Sequence, residues 1–220
     1  MHDMQTLTQL ILENGLGSRI ISRDQLARML EGSPQRRYNL VNRALRKGEL
    51  LQLQRGKYLL APSTLLNSTP HPFVLAQALA PGSFISFESA LCFHGWIPEA
   101  VPVTMSVVPG RRQLEINHPI LGLYRMYPIA IQEGGLLESV ERITFNGHAA
   151  LVAMPLRALL DIICRRKLAP EEVRGFADAM RIDVEHLRNI APEVWLSMAR
   201  VYRHKRMALC ITALREACKK

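Results

Sequence analysis

Residues 33–48 read SPQRRYNLVNRALRKG, with four Arg, one Lys and no carboxylate. These residue types suit the reading of nucleic acid. An Arg fork matches two acceptors on guanine, and Asn or Gln pairs a donor and an acceptor with adenine. Wound as a helix, the stretch predicts Tyr38, Val41 and Leu45 on an inner face and Gln35, Arg36, Asn39, Arg43 and Arg46 on the outer one. The expected base readers are Gln35, Arg36, Asn39 and Arg43. The expected phosphate contacts are Ser33, Arg37, Arg46 and Lys47, joined by Arg55 and Lys57 from the segment that follows. A solvated helix would also carry charge, so the surrounding elements must decide.

Other chemistries find less support in the residue spacing. His94, Ser89 and Asp161 can be drawn as a hydrolase triad, but no G-x-S-x-G accompanies them. Gly82-Ser83 is followed by Glu88 alone, without the closely spaced carboxylates a nucleotidyltransferase uses to hold magnesium. No E-x-K or D-x-K occurs, as a restriction-type nuclease would want. Cys92, Cys164, Cys210 and Cys218 form no C-x-x-C pair, and no His/Cys grouping has zinc spacing. The expectation is a non-enzyme without metal or cofactor. His94 is expected as a packed or hydrogen-bonded residue at a helix end, and Cys210 and Cys218 as core along with Met207, Ile211 and Leu214.

Charge points the same way as the outer helix face. The net charge of the 220 residues is +9, and a basic protein attracts polyanions. Residues 1–62 carry a net +5, residues 63–202 a net −1, and residues 203–220 a net +5. The basic runs at 165–167 and 203–206 are expected to end helices, where cations complement the dipole, with auxiliary phosphate contact as the functional reading. Hydrophobic residues at 48% and charged ones at 21% describe a globular chain. The apolar runs are shorter than the roughly 20 residues of a membrane span, and no signal-peptide layout opens the chain. Reduced cysteines then favour a cytoplasmic location.

The elements that must position the basic helix are legible. MQTLTQLILEN spaces Leu7, Leu10 and Ile11 as a helix that stops at Asn14-Gly15. Ser22 with Gln25 forms a capping box for a second helix carrying Leu26, Met29 and Leu30. Ser33 caps the third helix, with Pro34 at its first position and Gly48 as its stop. LLQL and KYLL around Gln54-Arg55-Gly56 predict a hairpin. Three helices and then a hairpin is the order of a winged helix-turn-helix, whose third helix enters the major groove.

NSTPHP at 67–72 reads as a linker, which divides the chain into domains 1–66 and 67–220. The second is expected as α+β: a helix from PFVLAQALAPG, a strand SFIS, a helix FESALCFHG, and strands VTMSVV and LYRMY. A hairpin RITFNGHAALVA turning on Asn146-Gly147 follows, then a Pro-initiated helix with Leu156, Leu159, Leu160 and Ile163 inward. Three more helices are expected near 170–181, 192–204 and 206–218. In VTMSVV, Val103, Met105 and Val107 alternate onto one face.

These residues resemble a family. The run LQRGKYLLAP, through Arg55, Gly56, Tyr58 and Ala61-Pro62, resembles the wing that closes the N-terminal domain of AbiEi-type antitoxins. FISFESALCFHGWIPE is similar to a strand-then-helix segment of that family at Ser86, Ser89, Ala90, Leu91, His94 and Gly95, and VAMPLRALLDII to a later strand leading into A-L-L-D. The resemblance implies an autoregulatory repressor that binds repeats in its own promoter. It would be the antitoxin of an AbiE-like, type IV toxin-antitoxin system, encoded beside a nucleotidyltransferase-like toxin without forming a stable complex with it. Some relatives are stand-alone mobile-element regulators. The expected partner is therefore double-stranded DNA carrying operator repeats, with no membrane. The residues alone leave open a protein-interaction adaptor and a ligand-sensing repressor, and they leave the oligomeric state open.

Overall fold

The computed structural model describes residues 6–62 and 69–218. The expected domain boundary at 66/67 and the start of the linker lie outside those residues, as do Lys219 and Lys220. Contacts divide the chain into two compact units, Met1–His71 and Pro72–Lys220. The fold is α+β, with helices and sheet in both units.

The first unit runs α1 (Leu7–Glu13), β1 (Ile21–Ser22), α2 (Arg23–Met29), α3 (Pro34–Arg46), β2 (Leu50–Gln54) and β3 (Lys57–Leu60). Each helix start is fixed by its own sequence. Thr6 and Gln9 form a capping box on α1, Ser22 and Gln25 one on α2, and the Ser33 hydroxyl accepts from the Arg36 N–H with Pro34 in the first turn of α3. The strands form an antiparallel sheet in the order β1-β3-β2. β1 pairs two residues, Ile21 and Ser22, with Tyr58 and Lys57; the sequence reading did not include it. Leu7, Ile11, Leu26, Leu30, Ala44, Leu50 and Leu60 bury the core of this unit, each full burial worth about 1.5–3 kcal/mol for the larger side chains.

The second unit runs α4 (Pro72–Leu79), β4 (Phe84–Ile85), α5 (Phe87–Phe93), β5 (Val103–Val108), β6 (Leu114–His118), β7 (Gly122–Pro128), β8 (Val140–Phe145), β9 (His148–Ala153) and α6 (Pro155–Arg166). A 3-10 turn, Pro170–Glu172, leads into α7 (Val173–Ala179), α8 (Val184–Arg188), α9 (Pro192–Met198) and α10 (Lys205–Ala217). The six strands form a mixed sheet in the order β6-β7-β5-β4-β9-β8. β8 and β9 turn on Asn146 and Gly147, both with positive φ (48° and 79°), as the Asn-Gly pair predicts. β5 lies inside the sheet, and Met105, Ser106, Val107 and Val108 are all buried. The expected alternation onto one face therefore gives way to burial on both, as a central strand allows. β6 and α8 were not expected. Residues 203–206 do not end a helix: Lys205 and Arg206 begin α10, and the expected helix over 192–204 ends at Met198.

One polar cluster ties the second unit together. Arg157 and Asp161 on α6 are fully buried, with Arg157 Nε 3.0 Å from Asp161 Oδ1. The guanidinium also donates to the carbonyls of Glu138 (2.8 Å), Gly135 (3.2 Å) and Leu136 (3.4 Å). Asp161 accepts from the Ser86 hydroxyl at 2.7 Å and the Tyr202 hydroxyl at 2.8 Å. Burial works against the Arg157 charge, but the charge and hydrogen bond of Asp161 together with Tyr202 and Glu138 outweigh it, and the guanidinium pKa is raised. Burial, and then the Asp161 charge, hold the Tyr202 phenol well above its usual range.

Asp161→Ala leaves a buried guanidinium without its counter-charge and two hydroxyls without an acceptor. It is expected to destabilise the second unit by about 3–5 kcal/mol. Denaturant unfolding followed by Trp fluorescence measures this, and a loss below about 1 kcal/mol would contradict the burial described.

Candidate nucleic-acid interface

The expected contact residues fall into two groups within the first unit. The larger is on α3, whose N-terminus is fixed by Ser33 and whose inward stripe packs Leu40, Val41, Ala44 and Leu45 on the core. Gln35, Arg36, Asn39, Arg43 and Arg46 are all exposed, and α3 contains no acidic residue, so this face is uniformly cationic or neutral. Gln35 Nε2 donates to Asn39 Oδ1 at 3.2 Å across one helical turn. The two amides thus stand side by side, and each keeps further donors and acceptors. The Arg36 side chain lies back over Gly32, where a Cβ would come within 2.9 Å of Arg36 Cδ. To reach a base edge it must swing off the α2–α3 turn.

Two positions differ from the helical reading. Tyr38, expected inside, is 63% exposed, while Arg37, expected at a phosphate, is half-buried with Nη1 2.9 Å from the Ala27 carbonyl. The buried stripe is centred on Ala44 and flanked by Leu40 and Val41. That turns Tyr38 toward solvent and Arg37 toward α2. Ala27 lies in the last turn of α2, where carbonyls lack helical partners and a cation is favoured. Arg37 thus fastens α3 to the end of α2. Lys47 sits 3.7 Å from Glu49, which offsets part of the charge at the far end of the helix.

The second group is at the hairpin tip. β2 and β3 close with a register shift between Gln52 and Gln54, which leaves Arg55 and Gly56 at the turn and pairs Gln54 with Lys57. Gly56 has φ +77°, a conformation a side chain would strain, and its carbonyl accepts from the Arg23 N–H at 2.8 Å. Arg55 is exposed, and partial burial lowers the pKa of the half-buried Lys57. Arg23, also exposed, stands beside this tip. The sequence reading passed over it because its position inside the capped start of α2 carried no sign of the neighbouring turn.

The candidate catalytic residues are not brought together. The Ser89 hydroxyl donates to the Val103 carbonyl and accepts from the Met105 N–H, each at 2.8 Å. Asp161 is taken up by Arg157, Ser86 and Tyr202. His94 caps the C-terminus of α5, with Nε2 3.0 Å from the Ala153 carbonyl, so Nε2 carries the proton. Burial lowers its pKa, opposed by that hydrogen bond and by the Glu141 charge. Cys210 on α10 and Cys218 at its C-terminal cap are buried, as are Met207, Ile211 and Leu214. Among the described residues no His/Cys/Asp/Glu group could hold a metal, and no helix is long and apolar enough to cross a membrane.

No protein-family profile matches the chain, and no curated protein matches it significantly. Among solved structures it is similar to the RV2827C protein from Mycobacterium tuberculosis, at 13% sequence identity with a TM-score of 0.53. The alignment covers 95% of this chain and 76% of that one. At this identity the likeness is one of fold, and it accords with the α+β architecture.

Two tests follow. Arg37→Met is expected to destabilise the first unit by about 1–2 kcal/mol through loss of a charged hydrogen bond at the end of α2, measured by urea unfolding. For His94 the folded pKa lies below its unfolded value of about 6.5. The unfolded chain therefore binds more protons just below that value, and stability falls as pH drops through it. Comparing wild type with His94→Gln at about pH 7.5 and about pH 5, the wild type should lose more stability on acidification. An equal loss would remove His94 as the source.

Proposed function

We propose that residues 6–62 form a winged helix-turn-helix that binds double-stranded DNA, and that the chain is a sequence-specific transcriptional regulator. The observation that carries this reading is the outer face of α3. It combines three Arg, an adjacent Gln–Asn pair and an exposed Tyr with no carboxylate, on a helix whose other side is fixed to a core. In this reading Gln35, Arg36, Asn39 and Arg43 meet base edges. Ser33, Arg46, Lys47, Arg55 and Lys57 meet phosphates, and Arg23 joins the wing group. Tyr38, standing free on the same helix, offers an apolar edge to a thymine methyl.

The resemblance to AbiEi-type proteins makes the specific form an autorepressing antitoxin acting in the cytoplasm. That part is tested by the neighbouring reading frame: a nucleotidyltransferase-like protein encoded there supports it, and its absence leaves a stand-alone regulator.

Selection of bound sequences from a random duplex pool, followed by anisotropy titrations, tests the DNA reading. Arg36→Ala/Arg43→Ala is expected to lose about 1–3 kcal/mol per side chain on the selected site while keeping most binding to scrambled DNA. Arg55→Ala/Lys57→Ala should weaken binding to every sequence and make the salt dependence shallower. If the selection yields no consensus and the α3 double variant binds as the wild type does, the recognition assignment fails. A partner retained in pull-downs after nuclease treatment would then favour a protein-interaction adaptor.

A further inference from the structure

The second unit contains a cleft that the DNA reading does not use. β5 and β7 run parallel, in register from Val103–Leu123 to Val108–Pro128, so both end at the same edge of the sheet. From there the loop after β5 leads past β7 to β6, and the loop after β7 leads past β5 to β8 at the far edge; crevices at the carboxyl ends of parallel strands are where open sheets receive ligands. The space between them measures about 740 Å³, within the usual 300–1,000 Å³ of small-molecule sites.

Its floor is apolar, from Val108, Pro128, Ile131 and Leu136, and Arg111 and Arg203 line it from different loops. Both arginines are exposed, and neither has an ion-pair partner among the described residues. The Arg203 backbone is held in place: its N–H donates to Ala130 at 2.9 Å, Tyr202 pairs with Ile131, and Gln132 donates to Val201 at 2.7 Å. That strut continues into the Tyr202–Asp161 bond, so one cationic wall is tied to the buried polar cluster. Glu133 also lines the cleft.

We propose that this cleft binds a small organic anion, a carboxylate or phosphate ester with an apolar body. The anionic group sits between Arg111 and Arg203, and the body lies on the Ile131–Leu136 floor. Two features favour a small ligand over a second stretch of DNA. The surface is concave and partly apolar, whereas a duplex presents a convex polyanion, and Glu133 repels a continuous run of phosphates while accepting a hydroxyl or ammonium from a small molecule. The inference is independent of the assignment of α3.

The test uses the full chain labelled with ¹⁵N, with hexanoate, phenyl phosphate and inorganic phosphate as probes. At least one of the organic anions should shift the amides of Gly110, Gly134 and Arg203 in a saturable way and more strongly than inorganic phosphate. Arg111→Gln/Arg203→Gln should weaken that binding by about tenfold or more. Arg142→Gln/Arg174→Gln, the same loss of charge elsewhere, should leave it unchanged. The proposal is overturned if neither organic anion shifts these amides, if both double variants lose binding equally, or if a short DNA duplex displaces the anion from them.

Discussion

The Arg157 guanidinium has no access to water, and an ionised group survives there only if every donor finds an acceptor and the charge finds its opposite. Asp161 supplies the charge from one turn along the same helix. The remaining donors go to carbonyls of residues 135–138, and the remaining capacity of the carboxylate goes to Ser86 and Tyr202. Three segments far apart in the chain are therefore placed by a single helix. The Arg157 side chain further lies over the rings of Phe84 and Tyr202, at 5.0 and 5.7 Å from their centroids. A pair of this kind adds little net stability compared with apolar residues of the same volume. Its demands are strict, because displacing any one partner leaves a buried polar group without its hydrogen bond.

The first unit is held by smaller versions of the same requirement. Its helix starts are satisfied by Thr6, Ser22 and Ser33, and the end of α2 by Arg37. These contacts are local, so the geometry of the outer α3 face rests on residues within a few turns of it. Arg37 shows how a basic residue in a basic stretch can belong to the scaffold, while its neighbours Arg36 and Tyr38 stay available at the surface.

Much of this was legible in the sequence where the signal is local. The capping box at Ser22 and Gln25, the Ser33-Pro34 start and the Asn146-Gly147 turn depend on side chains within four residues of one another. What escaped depends on contacts distant in sequence. β1 is two residues long and exists only because Tyr58 and Lys57 pair with it. Arg157 and Asp161, four apart on a helix, look like an ordinary surface ion pair until the segments that cover them are known. Tyr38 faces outward because Ala44, too small to stand out in a hydrophobicity pattern, takes the centre of the buried stripe. Of the candidate site, the exposure of Gln35, Arg36, Asn39, Arg43 and Arg46 was readable from helical spacing, whereas the outward Tyr38, the half-buried Arg37 and the closeness of Arg23 to the hairpin tip were not.

Ser86 and Asp161 lie 75 residues apart, and Asp161 and Tyr202 lie 41 apart. Phe87, directly after Ser86, holds a left-handed backbone at φ +58° while fully buried, a conformation that surrounding contacts must enforce. As the chain leaves the ribosome, that corner is made long before its partners. The first unit contains its own core and can close early, but the β4–α5 corner waits for α6 and then for Tyr202. Long-range closure of this kind is slow, and nascent chains with such unfinished sheets expose apolar surface while they wait. The second unit therefore carries the pairings of this protein that can form only once synthesis has reached its last third.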